Sequence, residues 1–459
     1  MDFQENKKRQ TAKVLIAESL MTITAILMVV ILVFVVSGYW INENFEMARS
    51  GMLQISSMPT GATVTIDEDA LSQHTNTSRV IPAGEHTVRI EKDGYDSWSK
   101  TVTVKDGLLY RLHYPRLFLN ERELENVPLE YNAKKVSISP KREYALLIDG
   151  TNKWALLNLD EEKNTIKQID LAVAFSKNVF SREITSIEWN NDQNKVLIGL
   201  IAEPEKTDWF LIDLSDVKRS VNISDEFGVG FSQIKMANGS SDVLFALRNG
   251  NLQKINLSNK SISAILAENV NNYRSCGDGI IFTAKDQAEK KYVGELKFNK
   301  DETKTLLEVD NDNAIAFSSR FYDDDLITIL DGDSLKVFKR DNLGEVKLDL
   351  KLSFVPDSVK MGHFGEFLVL RKDNQLVTLD MESETLREWT VENQNFGWLD
   401  DDMVYAVVDG ELIVYDYDGL NRRSVTKDVN EKFPVVVVND KWLYYMSNDA
   451  FVREWLVQK

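Results

Sequence analysis

Two runs of three carboxylates, Asp323-Asp324-Asp325 and Asp400-Asp401-Asp402, offer the first chance of chemistry in this chain, and Asp310 and Asp312 in "VDNDNA" add a third acidic loop. Clustered carboxylate oxygens suit Ca²⁺, a hard cation that takes six to eight oxygen ligands. None of these runs has the D-x-D-x-D-G-x₅-E spacing of a calcium loop, so Ca²⁺ is weakly supported and no cofactor is expected. Aspartate also favours turns for its own hydrogen bonding, and a solvated acidic turn is the plainer reading. The four histidines, His74, His86, His113 and His363, stand apart, without H-E-x-x-H or Cys/His spacing for zinc. Cys276 in "YRSCGDG" has the nucleophile's chemistry, but a lone cysteine at a strand end is more often a small core residue. No G-x-S-x-G elbow, Asp-box turn or glycine-rich phosphate loop occurs. The expectation is a protein that is not an enzyme. Asp323, Asp324, Asp325, Asp400, Asp401 and Asp402 are then binding candidates, joined by Tyr95 and Trp98 as exposed aromatics. Trp154, Trp209 and Trp389 lie in alternating strands, where core packing is the usual role.

The elements that carry these residues begin with an apolar run. From Ser19 to Ile41 there is no charged residue. About 23 residues at about 1.5 Å each cover a hydrocarbon core of about 30 Å. The reading is a transmembrane helix at 19–41 after a cytoplasmic tail at 1–18. A cleaved signal peptide is the rival, with a weak site at Val36-Ser37-Gly38. Lys7, Lys8, Arg9 and Lys13 before the run, and Glu43 and Glu46 after it, place the tail inside and the bulk of the chain outside a bacterial cell membrane. Nearly all of the net charge of −18 falls on that outer part. Such acidity repels phosphate backbones and anionic headgroups, which argues against nucleic acid. With one cysteine in 459 residues, no intrachain disulfide is available and stability must come from packing.

Residues 51–115 read as a small β unit. In "SSMPTGATVTID" Gly61 permits a turn and Ala62, Val64 and Ile66 alternate after it. Pro82-Ala83-Gly84 and Lys92-Asp93-Gly94-Tyr95 are further turns, and "SKTVTV" is another strand. The order Pro59-Thr60-Gly61-Ala62, V-x-I-D at Val64 to Asp67, P-x-G-x-H-x-V-x-I at Pro82 to Ile90, and K-x-G-Y at Lys92 to Tyr95 closely resembles the PEGA domain, with Thr where the family's name-giving turn has Glu. The resemblance implies a small all-β accessory module of envelope proteins, with no catalytic residues to carry over.

Residues 117–459 repeat. "IDGTNKWALLNLDEE" (148–162), "EKTDWFLIDLSD" (205–216), "LDGDSLKVFKRDN" (330–342) and "VDGELIVYDYDG" (408–419) share a polar turn, an alternating strand and a second polar turn. About eight such units of roughly 40 residues predict an all-β fold, a β-propeller of seven to eight blades. The last unit lacks a fourth strand, which "LFLNERELENVPLEYN" before the first is able to supply, removing exposed edges. Ile138 to Ile148 and Leu412 to Thr426 resemble TolB-like propeller repeats, through an S-P-turn-strand opening and an Asp-Gly-x-Asn-Arg-x-x-Thr ending. The expected function is extracytoplasmic recognition or scaffolding of a protein or a cell-wall or surface polysaccharide. A surface glycan-acting enzyme with carboxylates in the funnel, and a sensor ectodomain, are the alternatives.

Overall fold

The computed structural model describes residues 18–33, 39–41, 47–127, 133–160, 164–175, 178–204, 206–237, 240, 242–277, 279–362, 365–393, 396–448 and 450–458. Two compact units follow one another, Met1–Glu121 and Arg122–Lys459. Nearly every described element is a strand.

In the first unit, residues 18–33 are helical and exposed along their length. Among the described residues, no helix is long and apolar enough to cross a membrane. The expected span to residue 41 is corrected at its far end, because Tyr39–Ile41 is a strand paired antiparallel with Met47–Arg49. Aromatic and β-branched residues favour a paired strand here.

Two four-stranded sheets make up the rest of this unit. In one, Met47–Ile55 is central, with Thr77–Pro82 antiparallel and Leu109–Leu112 parallel to it. The other runs Asp69–His74, Thr63–Ile66, Gly84–Glu91, Trp98–Val104 in spatial order. Strict alternation buries Leu53 and Ile55 on the first, and Val88, Ile90, Trp98, Val102 and Val104 on the second. At Gly51 the two sheets come close together. A Cβ there would lie 2.4 Å from the Lys105 carbonyl oxygen and 2.6 Å from Val104 Cγ1. Leu117 and Phe118, grouped by sequence with the repeats, are instead buried in this unit. Leu117 N–H donates to the Met58 carbonyl and Asp96 N–H to that of Phe118.

Among the described residues, the second unit holds eight four-stranded antiparallel sheets in chain order. Their first strands are Lys135–Ile138, Ile184–Trp189, Gln233–Met236, Val270–Cys276, Ile315–Phe321, Ser358–Met361, Phe396–Trp398 and Val436–Val438. Second strands such as "VLIGL" and "LITIL" are apolar on both faces, because neighbouring sheets cover both. Separate apolar clusters join the first sheet to the second, the second to the third, and so on to the seventh. The seventh meets the eighth where Val437 N–H donates to the Leu399 carbonyl and Val435 N–H to the Tyr405 hydroxyl. A last cluster packs Tyr444 and Met446 of the eighth sheet on Ala145 and Leu147 of the first. The sheets therefore close into a propeller-like ring.

Closure is completed by a strand from the ring's start. Leu124–Asn126 adds to Ala450–Trp455 as the fourth strand of the eighth sheet, pairing Asn126 with Val452 and Leu124 with Glu454. Arg122 and Glu454 at 2.8 Å, and Arg453 and Glu125 at 2.6 Å, fasten it. The edge strand expected from the sequence is therefore present within the predicted segment, of which 128–132 lies outside the described residues.

Candidate functional site

The two aspartate triplets occupy equivalent places, each at the turn between the first and second strands of a sheet, the fifth and the seventh. Their chemistry differs. Asp400 is buried, and its Oδ1 accepts the N–H groups of Asp402 at 2.9 Å and Met403 at 2.8 Å. This turn, which a short carboxylate forms by bonding the backbone just ahead of it, makes Asp400 a structural residue. Asp401 is gripped by Arg142 of the first sheet at 2.7 and 3.2 Å. The expectation of a ligand-facing Asp400 and Asp401 is corrected: their oxygens are already used inside the fold. Asp323 and Asp325 are exposed, while Asp324 pairs with Lys339 at 2.8 Å. Hydrogen bonding from Lys339 outweighs desolvation and keeps the Asp324 carboxyl below its ordinary value.

The third acidic loop is neutralised by the fourth sheet. Asp312 lies 3.1 Å from Lys285 and 3.2 Å from Lys291, at the two ends of the hairpin "AKDQAEKK". Hydrogen bonds from these lysines hold its carboxyl below the usual range. Among the described residues, no group of three or more His, Cys, Asp or Glu is placed to hold a metal ion. Cys276 is buried at the end of its strand, 3.2 Å from an Arg340 guanidinium nitrogen. His363 lies outside the described residues.

Four charged loops of the ring divide between its opposite faces. In an up-and-down meander, first-to-second and second-to-third turns emerge at opposite ends. The acidic turns at 323–325 and 400–402 are of the first kind, whereas "IAEPEKTD" (201–208) and "AKDQAEKK" (284–291) are of the second. They do not form one surface.

The motif residues of the first unit build turns. Asp67 accepts the Thr87 N–H at 2.8 Å and meets His86 Nδ1 at 2.5 Å, while His86 Nε2 reaches the Pro82 carbonyl at 2.8 Å. V-x-I-D and P-x-G-x-H are thus two halves of one lock. Residues 50–116 match the PEGA domain. In this PEGA domain Trp98 is fully buried, edge-on to Tyr114 with ring centroids 6.1 Å apart, and Tyr95 is buried too. Both are corrected from surface binding to core: the register of its strand turns Trp98 inward, and Tyr95 sits in a turn that bridges to Leu119. What the register leaves outside is a row that sequence reading missed. Met52 pairs with Val80 on one side and Leu109 on the other, and all three are exposed, at 44%, 37% and 42%. The signal available was the period of two in "GMLQI", which sends Met52 opposite to Leu53.

The motif residues within 138–148 and 412–426 also make turns. Ser139 Oγ accepts the Tyr144 N–H, and Asn421 donates to buried Asp416 at 2.8 Å. Gly419 has φ +78°, and a Cβ there would lie 2.4 Å from the Trp389 ring.

No curated protein matches the chain. Solved structures similar to it include the β-propeller domain of Cps50 (Swd1) from Myceliophteria thermophila, at 12% identity and TM-score 0.40, covering 73% of this chain and 100% of that one. AztD from Citrobacter koseri is similar at 10% identity and TM-score 0.42, covering 74% and 92%. PorZ from Porphyromonas gingivalis, a surface component of the type-IX secretion system, is similar at 11% identity and TM-score 0.41, covering 71% of this chain and 42% of PorZ.

Proposed function

We propose that this chain is a membrane-anchored, extracytoplasmic recognition protein that holds a protein partner and turns over no substrate. The observation that carries the reading is the Val80–Met52–Leu109 row, three large apolar side chains set side by side across a sheet and left in water. Contiguous exposed apolar surface of this kind marks interaction sites more often than scattered leucines do. The closed ring of sheets supplies a rigid scaffold of its own, and its charged second-to-third turns suit a separate, salt-sensitive contact. Anchoring is supported by the uncharged stretch from Ser19 to Ile41 and the basic residues before it.

The test is cross-linking in intact envelopes followed by capture of the chain, comparing wild type with Met52→Asp and Val80→Asp. Both positions face solvent, so folding is retained and the partner is lost. A polysaccharide as the sole captured species would move the reading to an envelope polymer. Hydrolysis of a glycan or peptide by the purified chain, abolished by replacing one carboxylate, would sink it.

A further inference from the structure

The first and second sheets of the ring do not meet along their whole length. Trp154, Leu156 and Asn158 alternate onto one face of the first sheet's third strand, and the first two pack toward the second sheet. Trp154 is fully buried, but Leu156 and Asn158 are only half-buried. Counted from the hydrogen bond that closes each first turn, Leu211 of the second sheet and Val414 of the seventh hold the register of Leu156. They are 4% and 0% exposed. The part of the first sheet left uncovered is one wall of a half-open recess of about 370 Å³. The opposite wall is the second sheet's turn Asp192-Gln193-Asn194, with Leu214 and Ser215 just after its third strand. Ligand pockets run from roughly 300 to 1,000 Å³, so the recess suits a small group.

Polar groups line this recess without being used up by the fold. Asn158 and Asn194 commit their Oδ1 atoms, to the Asp160 N–H at 3.0 Å and to Asn190 Nδ2 at 2.8 Å. Their own Nδ2 groups, the Tyr144 hydroxyl and the Asp192 carboxylate have no hydrogen-bond partner among the described residues. Lys167 reaches across from the first sheet to the Leu214 and Ser215 carbonyls at 2.7 and 3.4 Å. It meets no carboxylate among the described residues, and an ammonium has a third N–H to give. Gln193 is the contrast. It is buried, accepts the Lys141 N–H at 3.2 Å and donates to Glu143 at 2.6 Å, which fixes the turn that carries Asp192 and Asn194. Leu156 and the Tyr144 ring, both packed against the apolar cluster between the sheets, supply an apolar floor.

We propose that this recess between the first and second sheets binds a neutral sugar unit of a glycan. The lining sets the chemistry of the ligand. Asp192 only accepts hydrogen bonds, whereas Lys167 and the two amide Nδ2 groups only donate. An anion would face Asp192 in a chain of net charge −18, and a cation would leave Lys167 and both amides idle. A hydroxyl donates and accepts at once, so a ring of hydroxyls satisfies both walls. The C–H face of the same ring packs on Leu156 and Tyr144, as few well-placed polar groups around apolar lining require. The recess belongs to the ring unit and the Met52 row to the PEGA unit, so neither reading rests on the other.

The full chain applied to a printed array of neutral and acidic oligosaccharides, built from hexoses and N-acetylhexosamines, tests this, with calorimetric titration of whatever binds. Saturable binding of at least one neutral glycan is expected. Asp192→Ala is expected to weaken it about tenfold, the worth of one hydrogen bond to a charged group. Leu156→Trp is expected to abolish it by filling the floor. Asp192 is exposed, so its variant keeps the wild-type melting temperature and reads the site even where Leu156→Trp does not fold. Met52→Asp, which removes the proposed partner contact, is expected to leave glycan binding unchanged. A loss with Met52→Asp would move the binding to the PEGA domain and overturn the recess. An array without a bound glycan, or binding indifferent to Asp192→Ala or to a folded Leu156→Trp, would overturn it too. Binding confined to acidic glycans would refute the neutral sugar.

Discussion

Arg142 of the first sheet holds the carboxylate of Asp401 in the seventh, with both side chains mostly withdrawn from solvent, at 25% and 16% exposure. The eighth sheet comes between them around the ring, so this pair ties together turns that no backbone ladder connects. A triplet that reads as a ligand site in sequence is, at this position, part of the ring's fastening.

Replacing Asp401 by Ala is therefore expected to destabilise the ring by about 1–3 kcal/mol, the range for losing a charge-assisted hydrogen bond and stranding its partner. Asp323→Ala, at an exposed turn, is expected to stay within about 0.5 kcal/mol. Urea unfolding of both variants checks the contrast. Equal effects would mean that the two turns are equivalent after all.

Ring closure is completed by a three-residue strand. Glu125→Pro removes a backbone donor and the partner of Arg453 in the strand Leu124–Asn126, leaving Ala450–Trp455 as an open edge. A drop in the denaturation midpoint and a tendency to associate are expected, measured by urea titration and light scattering. An unchanged midpoint would show that the ring holds without this strand.

Trp98→Ala is expected to cost about 3–5 kcal/mol, since it empties the middle of the PEGA core. Thermal unfolding reads the loss. A variant with wild-type stability would return Trp98 to the surface role first expected of it.

Acid should loosen the PEGA lock. Partial burial works against the Asp67 carboxylate, but bonds from His86 and the Thr87 N–H prevail and hold it below its usual 3.8. A carboxyl with a depressed folded value adds stability above the unfolded value, and that stability fades as pH falls through the folded one. The stability gap between wild type and Asp67→Asn is thus expected to be constant above about pH 5 and to shrink below about pH 4. A gap that widens on acidification would reverse the assignment.

Strand periodicity, turn residues and the spacing of repeats are local properties, and they made the PEGA domain and the repeated sheets legible from the chain itself. Apolar alternation says that Leu53 and Met52 face opposite ways, and Gly51 or Gly419 stands where no side chain fits, because each outcome depends on neighbours a few residues off or on backbone dihedral freedom. The closing strand was also legible, since an incomplete last unit demands a fourth partner. The fate of each polar group was not. Asp401 and Asp323 have the same residue type in the same kind of turn, yet one is bound by Arg142, whose number lies 259 away, and the other meets water. Trp98 beside Tyr95 looks like a surface pair until the sheet's register turns Trp98 inward and a bridge to Leu119 buries Tyr95. Hydrogen bonding and charge pairing act between atoms brought together by long-range packing, so the tertiary structure alone decided which side chains are spent on the fold and which remain for a ligand.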